Sequence, residues 1–480
     1  MKILFATSEA HPLIKTGGLA DVSGALPRAL HDAGHDIRLL LPAYAPLLRK
    51  AGAVIARSEL MLDGARVRVL ETRLPGSALV VWLIDHPLFS EREGNPYMSP
   101  SGHPWHDNPE RFTLFCRAAA RIATDQAMLG WRPDIVHAND WQTGLIPPLL
   151  SLEHNPPPSL FTLHNMAYQG VFDRSTFERL RLPWALWHDR GVEFWNNLSF
   201  LKGGIAYSRF ITTVSPSYAR EIQTPAFGYG LDGLLRERQA DVVGILNGID
   251  EQEWNPATDP YLPAGYTPES LDTKPRLKAL LQAEMGLPVD EAPLLVGLIG
   301  RMVEQKGIDL VLEALNHILY LPIQVVALGS GERRFEDAFR ALALAYPDRI
   351  AVRIGYDEGL AHRIEAGADT FLMPSRFEPC GLNQMYSLRY GTPPIVHRVG
   401  GLADTVIHAS DENLAKGTAN GIVIDNADTL AVGWAIGEAL HLYRDRPDHW
   451  RAMQRAGMQQ PFSWAESAGR YVALYKRMLG

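Results

Sequence analysis

Short, nearly continuous apolar runs alternate along this chain with stretches whose apolar residues recur at helical spacing. The early runs are Ile3–Thr7, Ile37–Leu41, Val67–Leu70 and Leu79–Ile84. Ile135–His137, Leu160–Leu163, Ile211–Val214 and Val242–Leu246 follow. Strands covered on both faces need apolar residues at nearly every position, so these runs predict buried β-strands. Leu19–Ala33 and Pro109–Ala127, lying between them, predict helices. A repeated strand-then-helix order predicts a parallel sheet with helices on both faces.

The rhythm breaks between Glu251 and Ala292. Glu253-Trp254-Asn255-Pro256 and Tyr261-Leu262-Pro263-Ala264-Gly265 are polar and Pro-rich, which predicts a domain junction. The alternation then restarts. Strands are expected at Leu294–Ile299, Gln324–Leu328, Ile350–Ile354, Thr370–Met373, Pro394–Val396 and Gly421–Ile424. Helices are expected at Ile308–Leu319, Arg333–Tyr346, Leu382–Tyr390 and Ala427–Tyr443, with an amphipathic tail at Phe462–Leu479. The fold class is therefore α/β, with two doubly wound, Rossmann-like domains. Such sheets bind ligands beyond the carboxyl ends of their strands.

Composition narrows the partners. A formal net charge of −8 argues against a partner held by bulk positive charge, so neither nucleic acid nor a membrane surface is expected. Two cysteines, Cys116 and Cys380, exclude a disulfide framework and a Cys-rich zinc site. The apolar stretch Ile3–Ala6 is far shorter than a signal peptide's, and a cytoplasmic location is expected. The chain lacks G-x-x-x-x-G-K-[ST], H-E-x-x-H, G-x-S-x-G and spaced C-x-x-C patterns. Gly329-Ser330-Gly331 starts like a dinucleotide fingerprint, but Arg334 holds the third glycine position.

Four constellations carry candidate chemistry. Lys15-Thr16-Gly17-Gly18-Leu19-Ala20-Asp21 follows the first strand and opens the first helix, joining a cation, two glycines and a helix start that favours an anion. The loop Gly300-Arg301-Met302-Val303-Glu304-Gln305-Lys306-Gly307 repeats that arrangement in the second domain, with Arg301 as a fork and Lys306 as a point charge for phosphate. In Ser375-Arg376-Phe377-Glu378-Pro379-Cys380-Gly381-Leu382-Asn383-Gln384, Glu378 is suited to accept two sugar hydroxyls and the Gly381 amides to meet a sugar or a phosphate. The fourth is a pair of strand ends, His137-Ala138-Asn139-Asp140-Trp141 and His164-Asn165, with Trp141 and Tyr97 as candidate sugar-stacking rings.

Together these motifs resemble one family, the bacterial glycogen synthases and plant starch synthases, retaining glucosyltransferases of the GT-B fold. The likeness runs through MKILFATSEAHPLIKTGGLADVSGALPRAL, DIVHANDWQTGLIP, TLHNMAYQG, ILNGID, GRMVEQKGIDL and SRFEPCGLNQMYSLRYGTPPIV followed by RVGGLADTV, and so covers essentially the whole chain. It implies two Rossmann-like domains facing each other across a deep cleft. The first, residues 1–245, is the acceptor side. The second, 246–459, binds the nucleotide sugar, and the helix in 460–480 returns to the first domain.

The resemblance also implies the reaction. Glucose passes from ADP-glucose to the 4-hydroxyl at the non-reducing end of an α-1,4-glucan such as glycogen or a maltooligosaccharide, with retention and release of ADP. No cofactor and no metal are expected, because Lys15, Arg301, Lys306 and backbone amides supply the charge. His164, Glu378, Arg301 and Lys306 are the implied catalytic residues. Donor contacts fall to Lys15, Gly17, Gly18, Asp21, Asn247, Tyr356, Cys380, Gly381, Leu382 and Asn383. Acceptor contacts fall to Asp140, Tyr97, Trp141 and His137. Two positions depart from related patterns. Tyr386 stands where related families carry a second Glu, and Asn383 stands where Thr is commoner. The alternatives are the same transfer from UDP-glucose, an idle glucan-binding protein on this scaffold, or redox work, which the broken fingerprint disfavours.

Overall fold

The computed structural model describes residues 1–480, which divide into two compact units. One unit is Met1–Gly248 with Trp464–Gly480, and the other is Ile249–Ser463. The divisions lie a few residues beyond 245/246 and 459/460, for a local reason. Ile245 N–H donates to Thr213 O at 2.9 Å and Ser467 Oγ to Leu246 O at 2.7 Å, which keeps both segments in the first unit. No helix is long and apolar enough to cross a membrane.

The first unit holds β1 (Lys2–Ala6), β2 (Asp36–Pro42), β3 (Ile55–Leu62), β4 (Ala65–Arg73), β5 (Val80–Asp85), β6 (Ile135–Asn139) and β7 (Ser159–Leu163). It also holds β8 (Val171–Asp173), β9 (Glu193–Phe194), β10 (Asn197–Ser199), β11 (Phe210–Thr213) and β12 (Val242–Gly244). Its main sheet has the order β12-β11-β7-β6-β1-β2-β5-β4-β3. Ile3 sits opposite Ile37 on one side and Ile135 on the other, and β1, β6 and β7 have almost no exposed residue.

Each apolar run read as a strand is one, but the sheet is not wholly parallel. β3 and β4 pair antiparallel through a two-residue turn at Asp63-Gly64, both with positive φ, and β4 pairs antiparallel with β5. An Asp-Gly pair is the local sequence signal for that hairpin. β3 is half-exposed at the sheet edge and so shows no continuous apolar run. The short antiparallel sheet β8-β10-β9 was likewise not foreseen.

The second unit holds β13 (Leu294–Ile299), β14 (Ile323–Gly329), β15 (Ile350–Ile354), β16 (Thr370–Met373), β17 (Pro394–His397) and β18 (Ile422–Ile424). They form one all-parallel sheet ordered β15-β14-β13-β16-β17-β18. Its core packs Val296, Leu298 and Ile323 from the strands against Val311 and Leu315 from one helix and Val432 and Ile436 from another.

A helix, Lys274–Met285, lies inside the stretch read as a junction. Its buried face is Lys274, Leu277, Lys278, Leu281 and Gln282, so an apolar pattern search passes over it. The lysines are buried because their ammonium groups are bonded. Lys278 Nζ meets Asp369 Oδ2 and Pro293 O at 2.6 Å, and Lys274 Nζ meets Ala366 O at 2.7 Å and Thr392 Oγ1 at 2.8 Å.

Strand order fixes where ligands go. In the first unit the chain winds from β1 outward to β2 and later returns to β6 on the other side. In the second it winds from β13 to β14 and returns to β16. The loops after β1 and β6, and those after β13 and β16, therefore flank the two topological switch points.

Candidate functional site

In the first unit, β1 runs into Thr7-Ser8-Glu9 and a loop that ends at the helix Gly18–Asp32. Glu9 is 3% exposed. Its carboxylate accepts from Thr16 N–H at 2.5 Å, Thr16 Oγ1 at 2.8 Å and Tyr97 Oη at 3.0 Å. Burial pushes its pKa up while those bonds pull it down. Glu9 thus ties the Lys15–Gly18 loop to Tyr97. Sequence reading gave it no role, although it is the lone formal charge between Ile3 and Ile14.

Gly17 is the N-cap of the helix, and no side chain caps that end. Ala20 N–H turns back to Gly17 O at 3.1 Å and Gly17 N–H leans on the Glu9 carboxylate, so it is the Gly18 and Leu19 amides that face outward for an external acceptor. A Cβ on Gly17 or Gly18 would meet no atom of the protein within 4 Å. Lys15, half exposed, pairs with Asp21 at 2.7 Å.

At the neighbouring strand end, Asp140 holds a positive φ of 57° and is buried. Its Oδ1 accepts the backbone N–H of His164 at 2.7 Å. Burial raises its pKa to about 7 against the pull of the His164 and Asn165 amides, and Glu9 adds to the rise. Asn139 gives its amide N–H to Ala6 O at 3.1 Å, so its Oδ1 faces His164 Nε2 at 3.0 Å. That places the ring proton on Nε2 and leaves Nδ1 an acceptor. Burial lowers the His164 pKa to about 3, so the ring is neutral. Asn139 lay in a quoted motif without a role.

The other residues expected in this unit fall differently. His137 has no exposed surface, and both ring nitrogens are taken, by Tyr475 Oη at 2.7 Å and Thr162 Oγ1 at 2.6 Å. Instead of facing an acceptor, it anchors the C-terminal helix Trp464–Leu479, which packs on Gly18–Asp32. Trp141 sets its ring among Phe112, Phe172 and Phe200 at 5.1–6.0 Å, and packing takes up much of its surface. Tyr97 directs its hydroxyl to Ser8 Oγ at 2.7 Å as well as to Glu9. Asn247 is buried with Oδ1 lacking a partner.

The second unit repeats the plan. β13 is followed by Gly300, whose φ of 149° suits only glycine, and the loop closes at Gly307, an N-cap without a side chain, at the start of the helix Ile308–Ile318. Lys306 Nζ donates to Glu378 Oε2 at 2.5 Å, and Ser375 Oγ donates to the same oxygen at 3.0 Å. Glu378 is held from behind. Gly401 N–H donates to Glu378 O at 3.2 Å, and a Cβ on Gly400 would strike that same carbonyl.

Arg376 joins the two loops. It forks onto both oxygens of Asp309 at 2.7 Å and reaches Glu304 O at 2.7 Å. Neither Ser375 nor Arg376 was assigned a role from sequence, though both sit in the quoted motif. Asn383 spends its amide N–H on Ile299 O at 3.0 Å, which ties the loop back to β13. Gly381 and Leu382 are half-buried and Cys380 is buried. Arg301 is exposed, with a 3.3 Å bond to Gln305 Oε1, and Tyr356 projects into solvent from the loop after β15.

One group in this unit has metal-ligand chemistry: Glu253, Glu358 and His362, with ligand atoms all within 4.8 Å of one another. Burial opposes charge on His362, but its bond to Asp259 and the negative charges of Asp259 and Glu358 beside it prevail and raise its pKa to about 9.

The starch synthase catalytic domain family matches residues 2–237, and the glycosyl transferases group 1 family matches 285–456. Glycogen synthase 1 of Methylococcus capsulatus is 57% identical over 479 residues, covering 100% of this chain and 97% of that protein. The glycogen synthase of Cellvibrio japonicus is 54% identical over 478 residues, covering 99% of each. Among solved structures, the catalytic domain of starch synthase IV from Arabidopsis thaliana, bound to ADP and acarbose, superposes with a TM-score of 0.87 at 32% identity, covering 100% of this chain and 99% of that one. Sucrose-phosphate synthase from Thermosynechococcus elongatus, at 19% identity and a TM-score of 0.60 over 99% and 98% of the two chains, shares the fold.

Proposed function

This chain belongs to the glycogen synthase and starch synthase family of glucosyltransferases, with the GT-B fold, and from that premise we propose that it transfers glucose from ADP-glucose to an α-1,4-glucan with retention of configuration. The observation that carries the reading is the pairing at each switch point of an uncapped, glycine-led helix start with a cation in the same loop. Lys15 and Gly17 supply it in one unit, and Lys306 and Gly307 in the other. Such ends suit a diphosphate. The Arabidopsis structure, which holds ADP and acarbose, supports the choice of nucleotide and of glucan.

In this reading the bond from the anomeric carbon to the diphosphate breaks as the bond to the acceptor's 4-oxygen forms, and the acceptor proton passes to the departing phosphate. Attack on the face that the leaving group vacates retains configuration, and no carboxylate is assigned as a covalent nucleophile. Arg301 and Lys306 stabilise the charge on the departing diphosphate, with Lys15 and the Gly18 amide holding the same group. Diphosphate leaves well without an acid of raised pKa. Charge from these side chains replaces the divalent metal that other nucleotide chemistry uses.

Glu378, an acceptor-only carboxylate pinned by Lys306 and Ser375, binds hydroxyls of the glucose. Neutral His164 offers Nδ1 to a sugar hydroxyl and adds no charge beside the anomeric centre. Asn247 Oδ1 and Tyr356 contribute to the donor site, and Asp140 and Tyr97 to the acceptor site.

The test is nucleotide release from ADP-glucose and from UDP-glucose, each with and without glycogen, in EDTA. Glycogen-dependent ADP release in EDTA is expected. UDP release alone would overturn the donor. Loss of ADP release in EDTA that returns with magnesium would overturn the metal-free chemistry.

A further inference from the structure

The helix Glu358–Gly367 carries Glu358 and His362 one turn apart, so both side chains lie on one face. His362 has no exposed surface. Its Nδ1 lies 2.8 Å from Asp259 Oδ2, and Asp259 is itself held by Tyr390 Oη at 2.5 Å and Tyr261 N–H at 2.8 Å. Its Nε2 has no hydrogen-bond partner, with Glu358 Oε1 3.7 Å away. Trp254 stacks on the imidazole at 3.9 Å and 11°, and on Tyr386 at 3.8 Å and 8°. The stack fixes the ring plane, and Glu253, the residue before Trp254, brings a carboxylate oxygen within 4.8 Å of the ligand atoms of Glu358 and His362. Asp250 Oδ1 further orders that turn by accepting the N–H groups of Gln252 and Glu253 at 2.9 and 3.2 Å.

A histidine with one nitrogen bonded to a buried carboxylate and the other facing a carboxylate, with a second one close by, is the usual arrangement around a metal ion. We propose that Glu253, Glu358 and His362 bind one divalent first-row transition ion of the zinc class, with Asp259 orienting the imidazole. One nitrogen and two carboxylate oxygens suit zinc, cobalt or manganese better than magnesium, which keeps to oxygen. Bonds of about 2.1 Å in a tetrahedral site put ligand atoms about 3.4 Å apart, so the three must close by up to about 1.4 Å from their present 4.8 Å spread. Glu253 is exposed and half-buried Glu358 lies at the rim, so both can move without opening the core. The ion displaces the Nε2 proton to solvent, and water completes its coordination. The site pins the loop carrying Trp254 to the helix that follows Tyr356.

The proposal concerns metal alone and stands apart from the sugar-transfer reading, so its test uses no nucleotide sugar. The full chain, stripped with EDTA and dialysed, is titrated calorimetrically with zinc chloride, and cobalt(II) is added separately to record its visible absorption. One tight site per chain is expected, with Glu253→Gln and Glu358→Gln each weakening it by about tenfold or more and changing the cobalt spectrum. Both variants lie toward the surface and keep the stack. Zinc is also expected to raise Tm in the parent chain and not in these variants. Absence of a stoichiometric site would overturn the proposal, as would equal affinity in parent and variants, which would put the zinc on other histidines. Competition by equimolar magnesium would overturn the assigned ion class.

Discussion

Lys306→Ala separates the catalytic and structural consequences of one side chain. The Lys306 ammonium lies 2.5 Å from Glu378, with the two side chains 25% and 9% exposed. Unit charges about 4 Å apart attract by roughly 4 kcal/mol at the effective dielectric of such a site, before desolvation is subtracted. An exposed pair contributes at most about 1 kcal/mol, and removing one partner of a fully buried pair costs about 3–5 kcal/mol. This pair lies between those limits, and Glu378 keeps its bond from Ser375, so the variant should lose about 2 kcal/mol of stability. For a unit the size of Ile249–Ser463 that lowers Tm by about 4–8 °C. The catalytic loss is larger. Removing a charge-stabilising donor lowers kcat by about 10²–10³, or roughly 3–4 kcal/mol.

The assay is ADP release at saturating ADP-glucose and glycogen, at a temperature where parent and variant are both folded, with Tm from calorimetry. Adding Glu378→Gln removes the orphaned charge, so the double variant should recover most of the lost Tm and none of the lost kcat. A kcat within tenfold of the parent would refute the phosphate role of Lys306. An unchanged Tm, or a double variant no more stable than Lys306→Ala, would refute the ion-pair argument.

Arg301→Ala should lower kcat about as far with Tm unchanged, since its guanidinium is exposed and makes one long bond to Gln305; a kcat loss under tenfold would remove it from the phosphate grip. Gly17→Ala meets no protein atom and has an extended φ of −162°, so stability should hold while ADP affinity, read by titration, falls by tenfold or more; unchanged affinity would mean no ligand approaches there. By contrast Gly170→Ala, at φ 58° with its Cβ 2.3 Å from Trp141, should cost about 2 kcal/mol or more in urea unfolding. Buried neutral His164 must take up a proton on unfolding below pH 6.5, so stability should fall as pH drops from about 6.5 toward about 3, by at most about 1.4 kcal/mol per unit. His164→Asn should flatten that slope in urea titrations between pH 4 and 7, and an unchanged slope would contradict the burial argument.

The sequence by itself determined the fold class, because strands buried on two faces must be apolar at almost every position and β1, β13 and β14 are. It also marked out the loops on which the proposed function rests, because Gly17, Gly18, Gly300 and Gly307 beside Lys15, Arg301 and Lys306 combine backbone freedom and charge, which are local properties. What it left unread were elements whose burial is polar or partial. Lys274 and Lys278 line a buried helix face, and β3 lies half-exposed at a sheet edge.

Only the tertiary structure decided which polar residues are enclosed by the scaffold and which keep a polar atom to spare. His137 and His164 both lie at or near the ends of adjacent strands. Packing of Tyr475 encloses the first, and Asn139 orients the second with one nitrogen to spare. Glu9, Ser375 and Arg376 acquired roles the same way, through partners 7 to 88 residues away for Glu9 and 67 for Arg376, and for Ser375 through a carboxylate three residues on that Lys306 reaches across 72. A side chain's chemistry is written in its type, but its pKa, its tautomer and its free valences depend on neighbours that the chain brings together only on folding.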